Sequence, residues 1–160
     1  MIKVRSYQAN DAEALWYLFF STVRTVNARD YSQVQIEAWA PEGVDMSVWQ
    51  NKMTDLQPVV AELDNVVVGY CDLQPDGLID HFFCHHEYQR QGVGRALMNY
   101  ILHLADERGV SCLYSHVSIT AKPFFERFGF SLVNEQRVLV REQELTNFVM
   151  EKRVNKHLEC

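Results

Sequence analysis

Cys84-His85-His86-Glu87-Tyr88-Gln89-Arg90-Gln91-Gly92-Val93-Gly94-Arg95-Ala96-Leu97 is the stretch on which the rest of the chain turns. Before it, Leu78 to Cys84 reads as a strand. After it, Val93 to Arg108 places Leu97, Tyr100, Ile101, Leu104 and Ala105 on one helical face. Gly109 is well placed to end that helix. A strand therefore enters a glycine-bearing turn that opens a helix. The first amides of a helix lack internal partners and sit at the positive end of its dipole. Glycine lets a bulky anion come close to the backbone. The segment predicts an anion site, most simply for phosphate.

Two nucleotide-binding patterns fail on this loop. A Walker-type loop needs Lys-Ser or Lys-Thr after its last glycine, and here Arg95-Ala96 follows Gly94. A dinucleotide fingerprint needs a third Gly or Ala where Leu97 stands. It also needs an acid at the end of a second parallel strand, and 111–117 ends in Ser115-His116-Val117. A plain strand-to-helix turn remains as the bland alternative.

Working outward, residues 2–7 alternate like a strand. Asn10 and Glu13 form a capping-box pattern before Leu15, Leu18, Phe19, Thr22, Val23 and Val26 at helical spacing. Ser32 and Gln35 open a short helix carrying Ile36 and Trp39, which Pro41 stops. Asp45 caps a third, with Met46, Trp49 and Met53. Val59–Leu63 and Val66–Leu73 form a hairpin about Asp64-Asn65, and Pro75-Asp76-Gly77 is a further turn. Downstream, 111–117 is a strand, Thr120 caps a short helix that Gly129 ends, and 130–140 pairs with 145–152. The passage from 78 to 117 implies one right-handed parallel crossover in a mostly antiparallel mixed sheet. The fold class is α+β, with helices on both faces.

Composition agrees with this. The chain has 160 residues, 48% hydrophobic and 22% charged, which is ordinary for one globular domain. No apolar run approaches the ~20 residues of a membrane span, and the N-terminus has no signal-like apolar core. A cytoplasmic protein without a membrane partner is expected. The formal charge of −6, from 15 basic and 21 acidic residues, disfavours nucleic acid and weakly attracts cationic small molecules. Cys71, Cys84 and Cys112 lie in apolar runs and no CxxC spacing occurs. The expectation is reduced thiols and no metal; His81, Cys84, His85 and His86 alternate across a strand and do not converge on one ion.

Gln89-x-x-Gly92-x-Gly94 resembles the acetyl-coenzyme A loop of the Gcn5-related N-acetyltransferases (GNAT), Q/R-x-x-G-x-G/A. The approach Phe82-Phe83-Cys84-His85-His86-Glu87-Tyr88 is similar to the family's strand and "V-H-P-E-Y" segment. Ala121-Lys122-Pro123-Phe124-Phe125-Glu126-Arg127-Phe128-Gly129-Phe130 is similar to its "A-x-x-F-Y-x-x-x-G-F" segment. The resemblance covers about 2–152 of a single domain spanning 1–160. It implies acetyl-coenzyme A, with the pyrophosphate on the amides of Gln89, Arg90, Gln91, Gly92, Val93, Gly94 and Arg95. It implies a pantetheine arm along Phe82, Phe83 and Cys84, with Ser118 where the family often carries a cofactor-contacting Asn.

Acetyl transfer to an amine needs a base, because an ammonium group has no lone pair. Asp80 is the candidate; in a regular strand it shares a face with Leu78, Phe82 and Cys84, whereas His81 points the other way. A backbone N–H near Cys84 is the candidate oxyanion donor. The proton for the leaving thiolate is harder to assign. Phe125 stands where family members commonly have Tyr, so it shapes the thioester pocket but donates nothing, leaving Tyr114, Tyr88, His116 or water. Tyr31 is the candidate for the acceptor rim, while Trp39 and Trp49 read first as helix packing. The acceptor is a small-molecule or protein amine of unassigned identity, and the enzyme a monomer or homodimer. The alternative is a non-catalytic acyl-coenzyme A binding or sensor module.

Overall fold

The computed structural model describes residues 1–154 and residue 160. Two four-stranded sheets meet at the cleft. β1 (Ile2–Ser6), β2 (Val59–Leu63), β3 (Val66–Cys71) and β5 (Phe82–Cys84) form the first, all antiparallel in the order β1-β2-β3-β5. β4 (Leu78–Ile79), β6 (Cys112–Ser118), β8 (Gln143–Arg153) and β7 (Ser131–Val140) form the second, in the order β4-β6-β8-β7. The expected crossover is there: β4 runs parallel to β6, with Leu78 opposite Tyr114 and Ile79 opposite Ser115. The intervening helix is α4 (Val93–Glu107).

Helices cover both faces of the first sheet. α1 (Ala12–Thr25), α2 (Gln33–Trp39) and α3 (Met46–Leu56) lie on one side, burying Leu15, Leu18, Phe19, Ile36, Trp49 and Met53 with Val60 and Tyr70. α4 lies on the other, burying Leu97, Met98 and Ile101 with Val59, Ala61 and Val68. Gly69 lets α4 approach β3: a Cβ there would stand 2.8 Å from Val93 Cγ1. α5 (Lys122–Arg127) carries Phe125 into the same core.

Local signals set most boundaries. Asp64 and Asn65 both take left-handed conformations, φ 51° and 66°, as a two-residue primed turn between twisted strands requires. Ser32 and Gln35 make the expected reciprocal cap on α2, with Gln35 N donating to Ser32 Oγ at 3.3 Å and Ser32 N to Gln35 Oε1 at 2.8 Å. Asp45 Oδ1 accepts from Ser47 N at 2.9 Å to start α3.

Two expected caps move. Asp11, not Asn10, organises the entry to α1: its Oδ2 accepts from Gln8 N at 2.8 Å, and Arg5 grips both its oxygens at 2.8 Å. That guanidinium holds the Asp11 carboxyl below the usual range, against the opposing effect of burial. Thr120 does not cap α5, because its hydroxyl donates to Asp30 Oδ2 at 2.8 Å; Ser118 Oγ instead accepts from Ala121 N at 3.1 Å. The expectation of reduced cysteines holds for Cys71 and Cys84 but not for Cys112, whose sulfur is bonded to Cys160, their Cα atoms 5.1 Å apart. No described helix is long and apolar enough to cross a membrane.

The largest departure from the sequence reading is in the strand expected over 78–84. It is two strands in different sheets, with Asp80 and His81 in the step between. Asp72 makes the step. Its Oδ1 accepts from His81 N at 2.6 Å, and its own N–H donates to His81 O at 3.2 Å.

Candidate active site

The step opens a cleft of about 950 Å³ between the sheets. β5 pairs with β3 on one edge only. The N–H groups of His81 and His85 turn away from the cleft, to Asp72 and to Val68 O. By strand alternation the N–H groups of Phe82 and Cys84 face the other way, toward β6. β6 in turn is paired with β4 only at Tyr114 and Ser115. Two strand edges thus diverge, with the outward N–H groups of Phe82 and Cys84 on one of them.

At one end stands the predicted anion loop. Gly92 takes φ 86° at the N-terminus of α4 and Arg90 takes φ 61°. A 15-residue helix begins immediately after, so its first amides are free and its dipole is well developed. Gln89 Nε2 donates to Cys84 O at 2.9 Å and ties the loop to β5. Gly94 packs under Phe124, where an added Cβ would meet Cε2 at 2.9 Å. Gln89, Arg90, Gly92, Val93, Gly94 and Arg95 line the cleft; Gln91 does not. Ser118 and Phe125 complete this end. Phe125 is buried, its ring 5.6 Å from that of Phe82. The Cys84 thiol is pushed up to about 12 by burial, so it stays protonated and is no nucleophile.

At the other end an aromatic recess has formed. Trp49 stands 5.0 Å from Trp16 and 5.4 Å from Phe19, and Phe19 stands 5.0 Å from Phe83. Trp39 and Tyr31 close the side, their rings 5.4 Å apart. The packing role first assigned to Trp49 is real, since it is 4% exposed and its Nε1 donates to Ala12 O at 2.8 Å. Yet Trp39 and Trp49 both line the cleft. The Tyr31 ring does too, while its hydroxyl donates to Thr146 O at 2.7 Å and accepts from Ile119 N at 2.9 Å.

Asp80 and His81 both reach the cleft, one exposed and one buried. Strand alternation would have sent them to opposite faces, and the step cancels it. Tyr70 Oη and His81 Nδ1 are 3.0 Å apart. Burial first, and the Lys52 ammonium next, hold His81 down to about 4, so the imidazole is neutral at physiological pH. Burial is also what pushes the Tyr70 phenol well up. The sequence puts Tyr31 on the acceptor rim but sets Trp39 and Trp49 down as packing, and it sends His81 to the opposite face because a regular strand contains no step.

Tyr114 is not brought to the cleft. Its hydroxyl donates to Asp76 Oδ2 at 2.5 Å on the exposed side of β6, and that bond raises the phenol. The candidate acid is therefore placed away from the other candidates. His116 Nδ1 lies 3.0 Å from Gln136 Nε2. Among the described residues, one group of His, Cys, Asp or Glu is close enough to hold an ion, Cys112, Glu151 and Cys160. Its two sulfurs are bonded to each other.

A free-amide helix N-terminus, flanking arginines and a splayed strand edge match what a pyrophosphate on a β-strand-like arm requires. Comparison with known proteins points the same way. Residues 27–153 match the model of the acetyltransferase (GNAT) domain. The chain is 38% identical over 149 residues, 93% of its own length and 94% of the other's, to the uncharacterized N-acetyltransferase YafP of Escherichia coli strain K12. A GCN5-related N-acetyltransferase structure from Rhodopseudomonas palustris superposes with a TM-score of 0.89 at 30% identity, covering 94% of each chain. The yncA structure from Salmonella typhimurium, solved with its cofactor acetyl-CoA, gives a TM-score of 0.71 at 16% identity over 100% of this chain and 98% of that one, a likeness of fold alone. The chain belongs to the GNAT acetyltransferase family.

Proposed function

We propose that this single-domain protein is an N-acetyltransferase that moves an acetyl group from acetyl-coenzyme A to a primary amine by direct attack, both partners bound at once. The observation that carries the reading is the two-ended cleft, with an anion loop at one end, an aromatic recess at the other and an exposed carboxylate, Asp80, between them. Acetyl-coenzyme A supplies an acyl carbon activated as a thioester. The amides from Arg90 to Arg95, with the two guanidiniums, hold the pyrophosphate. The outward N–H groups of Phe82 and Cys84 align the pantetheine arm and offer a donor to developing negative charge on oxygen. Ser118 lies along the same path.

Asp80 meets the acceptor's ammonium group and takes its proton, directly or through an ordered water. Phe125 walls the thioester end and gives no proton. A thiol pKa near 8.5 makes the thiolate a tolerable leaving group that water protonates. The enzyme works in the cytoplasm, as a monomer or homodimer, on a small-molecule or protein amine. A phenyl ring at 125 and a distant Tyr114 hydroxyl favour a second reading, an acyl-coenzyme A sensor without turnover.

Release of free coenzyme A thiol across a panel of amines separates the two. Turnover with at least one amine is expected, and Asp80→Asn slows it about 10²-fold or more while cofactor affinity is kept. Tight cofactor binding with no thiol released by any amine would establish the sensor.

A further inference from the structure

The chain is acidic overall, but its cleft is not. The described residues hold fourteen of the chain's fifteen Lys and Arg and twenty of its twenty-one Asp and Glu; of these, six Lys and Arg line the cleft, against Asp80 alone. Arg90, Arg95 and Arg127 stand on the loop, α4 and α5, where the cofactor's phosphates account for them. Arg29, Lys52 and Arg141 stand on the segment before α2, on α3 and at the β7–β8 turn, around the aromatic recess. Among the described residues none of the six forms an ion pair with a carboxylate.

Of the recess cations, Arg141 is tethered by a hydrogen bond, while Arg29 and Lys52 are exposed and are placed by their backbone positions. Lys52 lies one helical turn beyond Trp49 and Val48, which line the recess with it. Its charge is felt at His81, whose ring is 6.2 Å from that of Trp49. Arg141 Nη1 donates to Ala38 O at 2.7 Å, which fixes the guanidinium beside Trp39. The opposing charge is Asp80, next in sequence to His81. A polyamine or aminoglycoside, with several positive charges, would meet three cations and one carboxylate here. An excess of like charge around the recess disfavours it.

We infer that the acceptor is an amine that also carries an anionic group and a bulky apolar body, as an aromatic amino acid does. Its ammonium faces Asp80, its anionic group faces Lys52 and its apolar body fills the Trp16, Phe19, Trp39 and Trp49 walls. The general attraction of an acidic protein for cationic small molecules is thus reversed locally, where the reaction takes place.

The inference rests on the acetyl-transfer reading, and matched pairs keep the two apart. L-Phenylalanine and 2-phenylethylamine differ by the carboxylate alone; the phosphonate analogue of phenylalanine tells a carboxylate from a phosphate-like group; spermidine is the polycation. Each is titrated by calorimetry into the protein loaded with coenzyme A, and each is assayed for thiol release from acetyl-coenzyme A. Phenylalanine or its phosphonate analogue is expected to bind at least tenfold tighter than phenylethylamine. That ratio should shrink as salt rises from about 0.05 to about 0.5 M and fall toward one in Lys52→Ala, with Lys52→Arg restoring it. Phenylethylamine or spermidine binding as tightly as both anionic amines would overturn the inference, whether or not thiol is released. Thiol release with those two amines alone would overturn it too and leave acetyl transfer standing.

Discussion

Replacing Asp72 tests the step on which the cleft depends. The side chain is 1% exposed. Burial pushes its carboxyl up to about 6, against the His81 N–H and Gln74 amide that favour the charge. The sign follows from the two states. In the unfolded chain the group ionises near 3.8, so between that pH and about 6 the folded protein holds the proton more tightly. Its contribution to stability is therefore full below pH ~4 and is lost as pH rises through ~6, a span worth ~3 kcal/mol at about 1.36 kcal/mol per pH unit. Asp72→Asn keeps an oxygen for His81 N–H and cannot ionise. Urea unfolding of both proteins from about pH 4.5 to about pH 8 should show the variant gaining ~2 kcal/mol relative to wild type across the range. A difference that is flat, or that runs the other way, would refute the account of a desolvated carboxylate. Asp72→Ala is the harsher change. It strands the His81 N–H, bonded at 2.6 Å, and the half-buried Gln74 amide, bonded at 2.7 Å, at a cost of about 2–4 kcal/mol. With the step released, thiol release should fall further than cofactor affinity does.

Gly92 tests the anion loop. Its φ of 86° strains a β-branched side chain, while the nearest atom to an added Cβ is Ile2 Cδ1 at 4.0 Å, so Gly92→Val combines backbone strain of about 1–2 kcal/mol with blockage of the approach. Gly92→Asn tolerates the left-handed backbone and isolates the blockage; calorimetry on this folded variant should show at least tenfold weaker acetyl-coenzyme A binding, and unchanged affinity would remove the loop from the site. Phe125→Tyr should leave steady-state thiol release similar or modestly faster. Tyr114→Phe should change it no more than about twofold, because its hydroxyl is engaged with Asp76; a loss of 10²-fold or more, the scale of general acid catalysis, would return Tyr114 to the mechanism.

What was legible in the sequence was what neighbouring residues settle among themselves. The Asp64-Asn65 turn, the Ser32–Gln35 and Asp45 caps, the α4 stripe and the glycine loop each rest on partners a few residues apart, and each is present. Where a distant group intervened, the local rule lost. Asn10 is passed over as organiser of α1 because Arg5, on β1, fixes Asp11 instead. The strand at 78–84 breaks because Asp72, nine residues back, takes the His81 N–H. No alternation rule applied to 78–84 alone contains that bond. The same limit hid the charge around the aromatic recess. Net charge averages over a surface, whereas Arg29, Lys52 and Arg141 come from segments more than a hundred residues apart at their extremes and meet only in the fold. Two neighbours on the chain, Asp80 and His81, could be read as facing opposite ways, and the inference was correct for a regular strand. The step that invalidates it also lies where the strand leaves one sheet for the other, so the misassigned face of His81 and the opening of the cleft have one physical cause.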